Sequence, residues 1–128
     1  MYLKIAYPPT GGASPRKRCQ KYEYVEKIQE CLSDIQPLNG DVYVSAKFYP
    51  ENYYLHRGDL DNLMKTLLDA IKGRCFYDDS QIRSLYAVMM DSAPGKSHVE
   101  LRIENHHANT NQQSHKCEVK YEDHFSQN

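Results

Sequence analysis

The sequence predicts an α/β (α+β) chain: a single mixed β-sheet, order β-α-β-α-β-β, covered by two main helices. Three observations carry this expectation. Apolar residues alternate at Val42, Val44, Ala46 and Phe48, the period of a half-buried strand. They recur at Leu60, Leu63, Met64, Leu67, Leu68 and Ile71, the stripe of an amphipathic helix. The chain has 128 residues, enough for one domain to bury a core without cross-links.

The elements follow in order. Tyr2 to Tyr7 alternates, with Leu3, Ile5 and Tyr7 on one face, and reads as a strand ended by Pro8 and Pro9. Residues 8–18 (PPTGGASPRKR) read as a loop. Its glycines are no phosphate-binding loop, because the Lys-Ser/Thr ending is missing. From about Arg18 to Ile35 the period turns helical through Val25, Ile28, Leu32 and Ile35, until Pro37, Asn39 and Gly40. A strand is expected over 41–49, a loop over 50–58, and a helix from 59–60 to about Gly73. Ile82 to about Met90 and His98–Glu104 read as two strands of an antiparallel hairpin around Pro94-Gly95. The domain is expected to span 1–104. Residues 105–128, rich in His, Asn and Gln without any period, form a polar tail that is flexible or adds a weak terminal element.

Composition excludes several classes. Hydrophobic residues make up 40% and charged residues 26%, and no apolar run is long enough to span a bilayer. The N-terminus lacks a secretory h-region, so a cytoplasmic protein is expected. Cys19, Cys31, Cys75 and Cys117 have no metal-knuckle spacing and read as reduced thiols used in packing. The net charge is −1, yet residues 1–21 carry Lys4, Arg16, Lys17, Arg18 and Lys21 and no acid. The centre is acidic, so a basic arm stands beside an acidic cluster.

The chemistry concentrates at 57–79. Asp59 sits where loop becomes helix, Asp61, Lys65, Asp69 and Lys72 share one polar stripe, and Asp78 and Asp79 precede the third strand. Converging carboxylates repel unless they bind cations, and oxygen-only donors suit Mg²⁺ or Mn²⁺. Such ions activate water against a phosphodiester, and a lysine one turn from Asp61 would stabilise the charge that develops. The acids have plainer readings too. Asp59 is a good helix cap, Asp61–Lys65 an ordinary surface pair, and Asp78-Asp79-Ser80 a turn. The intervening helix is about 20 Å long, so the cluster closes only if the chain returns along it. A calcium loop is excluded, since Met64 stands at the required glycine.

Asp59-Leu60-Asp61-Asn62-Leu63-x-Lys65, with Asp69-Ala70 and Asp78-Asp79-Ser80-Gln81-Ile82, resembles the RusA family of Holliday junction resolvases. The resemblance covers about 2–104 in layout and 57–82 in specific residues. It implies a RusA-like nuclease domain over 1–104. It also implies a homodimer that nicks four-way DNA junctions in symmetric pairs with Mg²⁺ or Mn²⁺, in a bacterial or phage-infected cell. By position, Asp59, Asp61 and Asp79 match the family's catalytic, metal-binding aspartates, Asp78 the adjacent acid, and Lys65 the essential lysine. Gly58 stands where the family often has Pro or a basic residue.

Arg16, Lys17, Arg18 and Lys21, with Arg57, are the candidate DNA-phosphate contacts. Tyr49, Tyr53 and Tyr54 are candidates for stacking on unpaired bases, and His56 for a general base that a metal would make unnecessary. Two alternatives remain at this level. One is a metal nuclease acting on other branched DNA, and the other a junction- or fork-binding protein without cleavage.

Overall fold

Local chemistry sets each boundary. The computed structural model describes residues 1–9, 14–91 and 96–106, and the backbone of 116–120. The glycines of the expected 8–18 loop, the Pro94-Gly95 turn and the rest of the tail lie outside these residues. The first strand, β1, is Tyr2–Ala6. Helix α1 runs Pro15–Cys31, starting earlier than its apolar period suggests. Ser14 caps it by accepting from Lys17 N–H at 3.2 Å, and Pro15 takes the first turn, where no amide hydrogen is needed. Strand β2 is Val42–Tyr49, helix α2 Leu60–Ile71, β3 Ile82–Met89 and β4 His98–Asn105. The tail supplies β5, Lys116–Lys120. Single-turn 3-10 helices stand at Tyr53–His56 and Asp79–Gln81.

The sheet is mixed, in the order β3-β2-β4-β1-β5. β2 pairs parallel with β3 and antiparallel with β4; β1 pairs antiparallel with β4 and parallel with β5. The expected hairpin between the third and fourth strands does not form, because β2 lies between them. β2 and β4 carry matched apolar faces in register, Val44 opposite Ile103, Ala46 opposite Leu101 and Phe48 opposite Val99. Both strands bury those faces completely, so they take the centre. β3 keeps Leu85 and Tyr86 half exposed, which suits an edge. β1 and β2 run in the same direction, with β4 between them.

Both helices cover one face. Tyr24, Ile28 and Leu32 from α1 and the adjoining turn, with Leu63, Leu67 and Ile71 from α2, pack on Leu3, Ile5, Phe48 and Leu101. Tyr24 buries its ring and donates its hydroxyl to Ala6 O at 2.8 Å, so its polar tip stays paired. Lys21 Nζ meets Asp69 Oδ2 at 2.9 Å, and Gln29 donates to Asp69 O, tying the two helices at the surface. Cys75 is buried, as expected of a packing thiol, and burial pushes its pKa up to about 12. Cys19 is exposed on α1 and packs in no core.

The β2–α2–β3 segment matters most for the site. Its two strands are parallel neighbours, so the helix joining them must run back against them. α2 therefore begins beside the end of β2 and finishes beside the start of β3. At 12 residues it separates those points by about 18 Å.

Candidate active site

At the start of α2 the chain turns through Gly58, whose φ of +84° is left-handed backbone that a side chain disfavours and proline cannot adopt. Glycine there sets the turn that delivers Asp59. Asp59 takes the N-cap position, and its carbonyl accepts from Leu63 N–H at 2.9 Å. Its carboxylate makes no capping hydrogen bond. The plain helix-cap reading of that side chain therefore fails. Oδ2 instead lies 3.6 Å from His56 Nδ1.

Asp61 is exposed in the first turn, and Lys65 is exposed one turn later. Among the described residues they form no ion pair with one another. The ordinary surface pair is absent, and both charges face solvent. Arg57, just before Gly58, is exposed as well. The start of α2 thus carries a half-buried carboxylate, an exposed carboxylate, an ammonium and a guanidinium.

The second acid pair is built differently. Gly73, at φ +84°, ends α2, and its N–H donates to Phe76 O at 2.7 Å. The chain then reaches a tight cap. Asp78 accepts from Ser80 N–H at 3.1 Å. Gln81 Oε1 accepts from Tyr77 N–H at 2.6 Å and Asp78 N–H at 2.9 Å. Gln81 Nε2 donates to Leu38 O at 2.9 Å and Gly40 O at 2.8 Å. One side chain thereby fastens this loop to the segment entering β2. Sequence reasoning passed over Gln81, although Asp-x-x-Gln is the spacing of a capping box. Lys72 Nζ sits 3.8 Å from Asp78 Oδ1 and 3.6 Å from Asp79 Oδ2. Hydrogen bonds from Ser80, first from its hydroxyl and then from its amide, hold Asp78's carboxyl below the usual carboxylate range, and Lys72's charge adds to this.

The two acid pairs stay apart. Asp59 and Asp61 stand at one end of α2, and Asp78 and Asp79 beside Lys72 at the other. Among the described residues no three His, Cys, Asp or Glu side chains gather as a metal site. The return of the chain along the helix, which the sequence left open, does not occur. Asp59, half-buried, and Asp61, exposed, are nonetheless hard oxygen donors at the start of one helix. Mg²⁺ is typically held by one or two carboxylates together with substrate phosphate and water, so their chemistry and number fit that ion.

The basic residues also resolve. Arg16, Lys17 and Arg18 lie in the first turn of α1 rather than in a loop, all exposed. Lys21 is engaged with Asp69. Tyr49 stacks on His98, with centroids 4.7 Å apart, while Tyr54 is 76% exposed at the turn before Asp59. No helix among the described residues is long and apolar enough to cross a membrane.

Residues 10–104 match the family of Endodeoxyribonuclease RusA. The match covers most of the chain and includes both acid pairs, Lys65 and the whole of α1. This chain is a member of the RusA endodeoxyribonuclease family. The family is one of enzymes that hydrolyse DNA at Holliday junctions. No curated protein matches the chain closely enough to add to that assignment. The RusA match stops at residue 104, one residue before β4 ends, so β5 lies outside it.

Proposed function

We propose that this chain resolves four-way DNA junctions by paired symmetric nicks. It acts as a homodimer with Mg²⁺ or Mn²⁺, in the recombination and repair of a bacterial or phage-infected cell. The observation that carries the proposal is the start of α2. Asp59 is spared from capping, Asp61 and Lys65 face solvent unpaired with each other, and Arg57 adjoins them. Structural duties leave these side chains available, and a phosphodiester is the ligand their charges suit.

Asp59 and Asp61 would hold the divalent ion, which when bound supplies charge neutralisation and an activated water. Hydrolysis replaces a P–O bond to the sugar with one from water. Lys65, a turn from Asp61, would stabilise the negative charge growing on the phosphate oxygens. Arg57 would grip a flanking phosphate, and Tyr54 offers an exposed ring to an unpaired base. Arg16, Lys17 and Arg18 add their charge to the positive end of α1, where backbone amides also favour phosphate.

The separation of the acids gives the dimer its reason. Asp79 would be needed at a site from which α2 of its own chain holds it about 18 Å away. A two-fold pair of chains can set Asp79 of one copy against Asp59 and Asp61 of the other, and repeats the arrangement once by symmetry. Two sites related by a two-fold axis suit a junction cut twice.

The test compares labelled four-way junctions with linear duplex, in Mg²⁺ or Mn²⁺ and in chelator. Wild type should nick opposed strands in pairs, and Asp61→Asn should bind without cutting. Mixing Asp61→Asn with Asp79→Asn, each inactive alone, should restore nicking, because mixed dimers regain one intact site. Activity of Asp61→Asn alone would refute the site. Failure of the mixture, with exchange of subunits shown, would confine each site to one chain. Binding without cutting by wild type would leave a junction-binding protein.

A further inference from the structure

Asp59 has a backing that its motif does not account for. His56 Nδ1, 3.6 Å from Asp59 Oδ2, is buried and lacks any partner at hydrogen-bond length. The imidazole stands edge-on to the Tyr7 ring, with centroids 5.1 Å apart and planes at 65°. Tyr7 stands edge-on to Phe48 in turn, at 5.9 Å and 87°. Phe48 is fully buried, so this column is anchored in the core. The Tyr7 hydroxyl is also buried without a partner. Burial raises its pKa, and the charge of Asp59 raises it further.

Two buried polar groups from separate parts of the chain thus lack a hydrogen bond, and one of them faces the Asp59 carboxylate. Buried polar groups are rarely left so. Neutral imidazole carries its hydrogen on one ring nitrogen, and on Nδ1 that hydrogen complements a carboxylate oxygen. A shift of a fraction of an ångström closes the gap. Carboxylates that ligate metals are commonly held in this way by a neighbouring donor, which fixes the direction of the other oxygen.

We infer that His56 and Tyr7 are positioning residues for Asp59. The Tyr7 ring steadies the imidazole, and His56 Nδ1–H holds Oδ2 so that Oδ1 is presented to a divalent cation. This rests on the nuclease reading above, and the experiment separates the two. His56 contacts no DNA in this role and moves no proton.

Mn²⁺ alone, titrated into the full chain and followed by electron paramagnetic resonance, reads the site without cleavage. His56→Asn places an amide N–H near the Nδ1 position, whereas His56→Gln places it near Nε2. His56→Gln should weaken Mn²⁺ binding roughly ten- to a hundred-fold, the usual loss for such a neighbour. His56→Asn should retain most of the affinity, and Tyr7→Leu, which removes the ring, should weaken it by a smaller factor. The Mg²⁺ midpoint for junction cleavage should rise in the same order, with kcat at saturating metal falling less. A merely structural role would not separate Asn from Gln. Equal affinities for wild type, His56→Asn and His56→Gln, in a wild type that binds Mn²⁺ and cuts, would overturn this inference and leave the nuclease reading standing. Equal weakening by Asn and Gln would also overturn it. A wild type that neither binds Mn²⁺ nor cuts would overturn both.

Discussion

Removing the Gln81 side chain should loosen the loop that carries Asp79 more than it unfolds the protein. Gln81 makes four hydrogen bonds, to Tyr77 N–H, Asp78 N–H, Leu38 O and Gly40 O. A hydrogen bond contributes about 1 kcal/mol net, so Gln81→Ala has a ceiling of about 4 kcal/mol. Three of the four bonds are exposed, and water replaces those partners well. The bond to Leu38 is the part-buried exception. The expected destabilisation is therefore about 2 kcal/mol, equivalent to a fall in Tm of roughly 6–10 °C for a chain of this size. Calorimetry reads that change. Junction cleavage by Gln81→Ala at a temperature where it stays folded should drop further than junction binding, because Asp79 loses its fixed position. Gln81→Glu keeps the acceptor half and loses the donor half, so it reports the bonds to Leu38 and Gly40 separately. An unchanged Tm in Gln81→Ala, together with unchanged cleavage, would refute the view that this side chain fastens the loop.

Two further outcomes follow from charges on the surface. Neutralising Arg16, Lys17 and Arg18 to Gln should weaken junction binding and lower its salt slope by about 1 for each phosphate no longer gripped. The same triple change should raise Tm slightly, since cations at a helix N-terminus cost about 0.3–1 kcal/mol each. Opposite signs in binding and melting identify charges kept for a ligand, and an unchanged slope returns them to solvent. Asp78 supplies a pH test. Its carboxyl is held below the ordinary range, so its contribution is present above the unfolded pKa of about 4 and fades as pH falls through the lower folded value. Wild type should therefore lose Tm more steeply than Asp78→Asn below about pH 4. Parallel curves would remove Asp78 from the pH response.

The sequence carried the faces of the elements better than their neighbours. The stripe from Leu60 to Ile71 and the alternation of Val42 to Phe48 each name a buried side, and both sides are buried as read. A period of two says which face is apolar but not which strand lies alongside. The hairpin of the last two core strands fails for that reason: β4 matches β2 residue for residue, and β3 is left at the edge. The start of α1 was written in Ser14-Pro15, a cap signal outside the apolar period. The site divides in the same way. Asp59, Asp61 and Lys65 were legible because helical spacing puts them on one end and one side. His56 was singled out as a base, but its pairing with Tyr7 was not legible, since 49 residues separate them and only tertiary packing brings their rings together.

The βαβ unit explains why the same acids could not be read as one cluster. Parallel neighbouring strands require the connecting helix to run back along them, so residues before and after it lie at opposite ends of the strands. In this chain that rule places Asp59 and Asp79 at opposite ends of α2, and no side-chain rotation spans the distance. Shortening α2 would not join them without breaking the Leu63, Leu67 and Ile71 packing that holds the helix to the core. Under the proposed two-fold dimer, a second chain would join them without that cost. Under this reading catalysis depends on protein concentration through dimerisation, while the fold of each subunit does not. Cleavage per chain should then fall on dilution below the dimer's dissociation constant, with the far-ultraviolet circular dichroism of the protein unchanged. Cleavage strictly proportional to concentration through that range would assign the complete site to one chain, and Asp79 would then lie outside it.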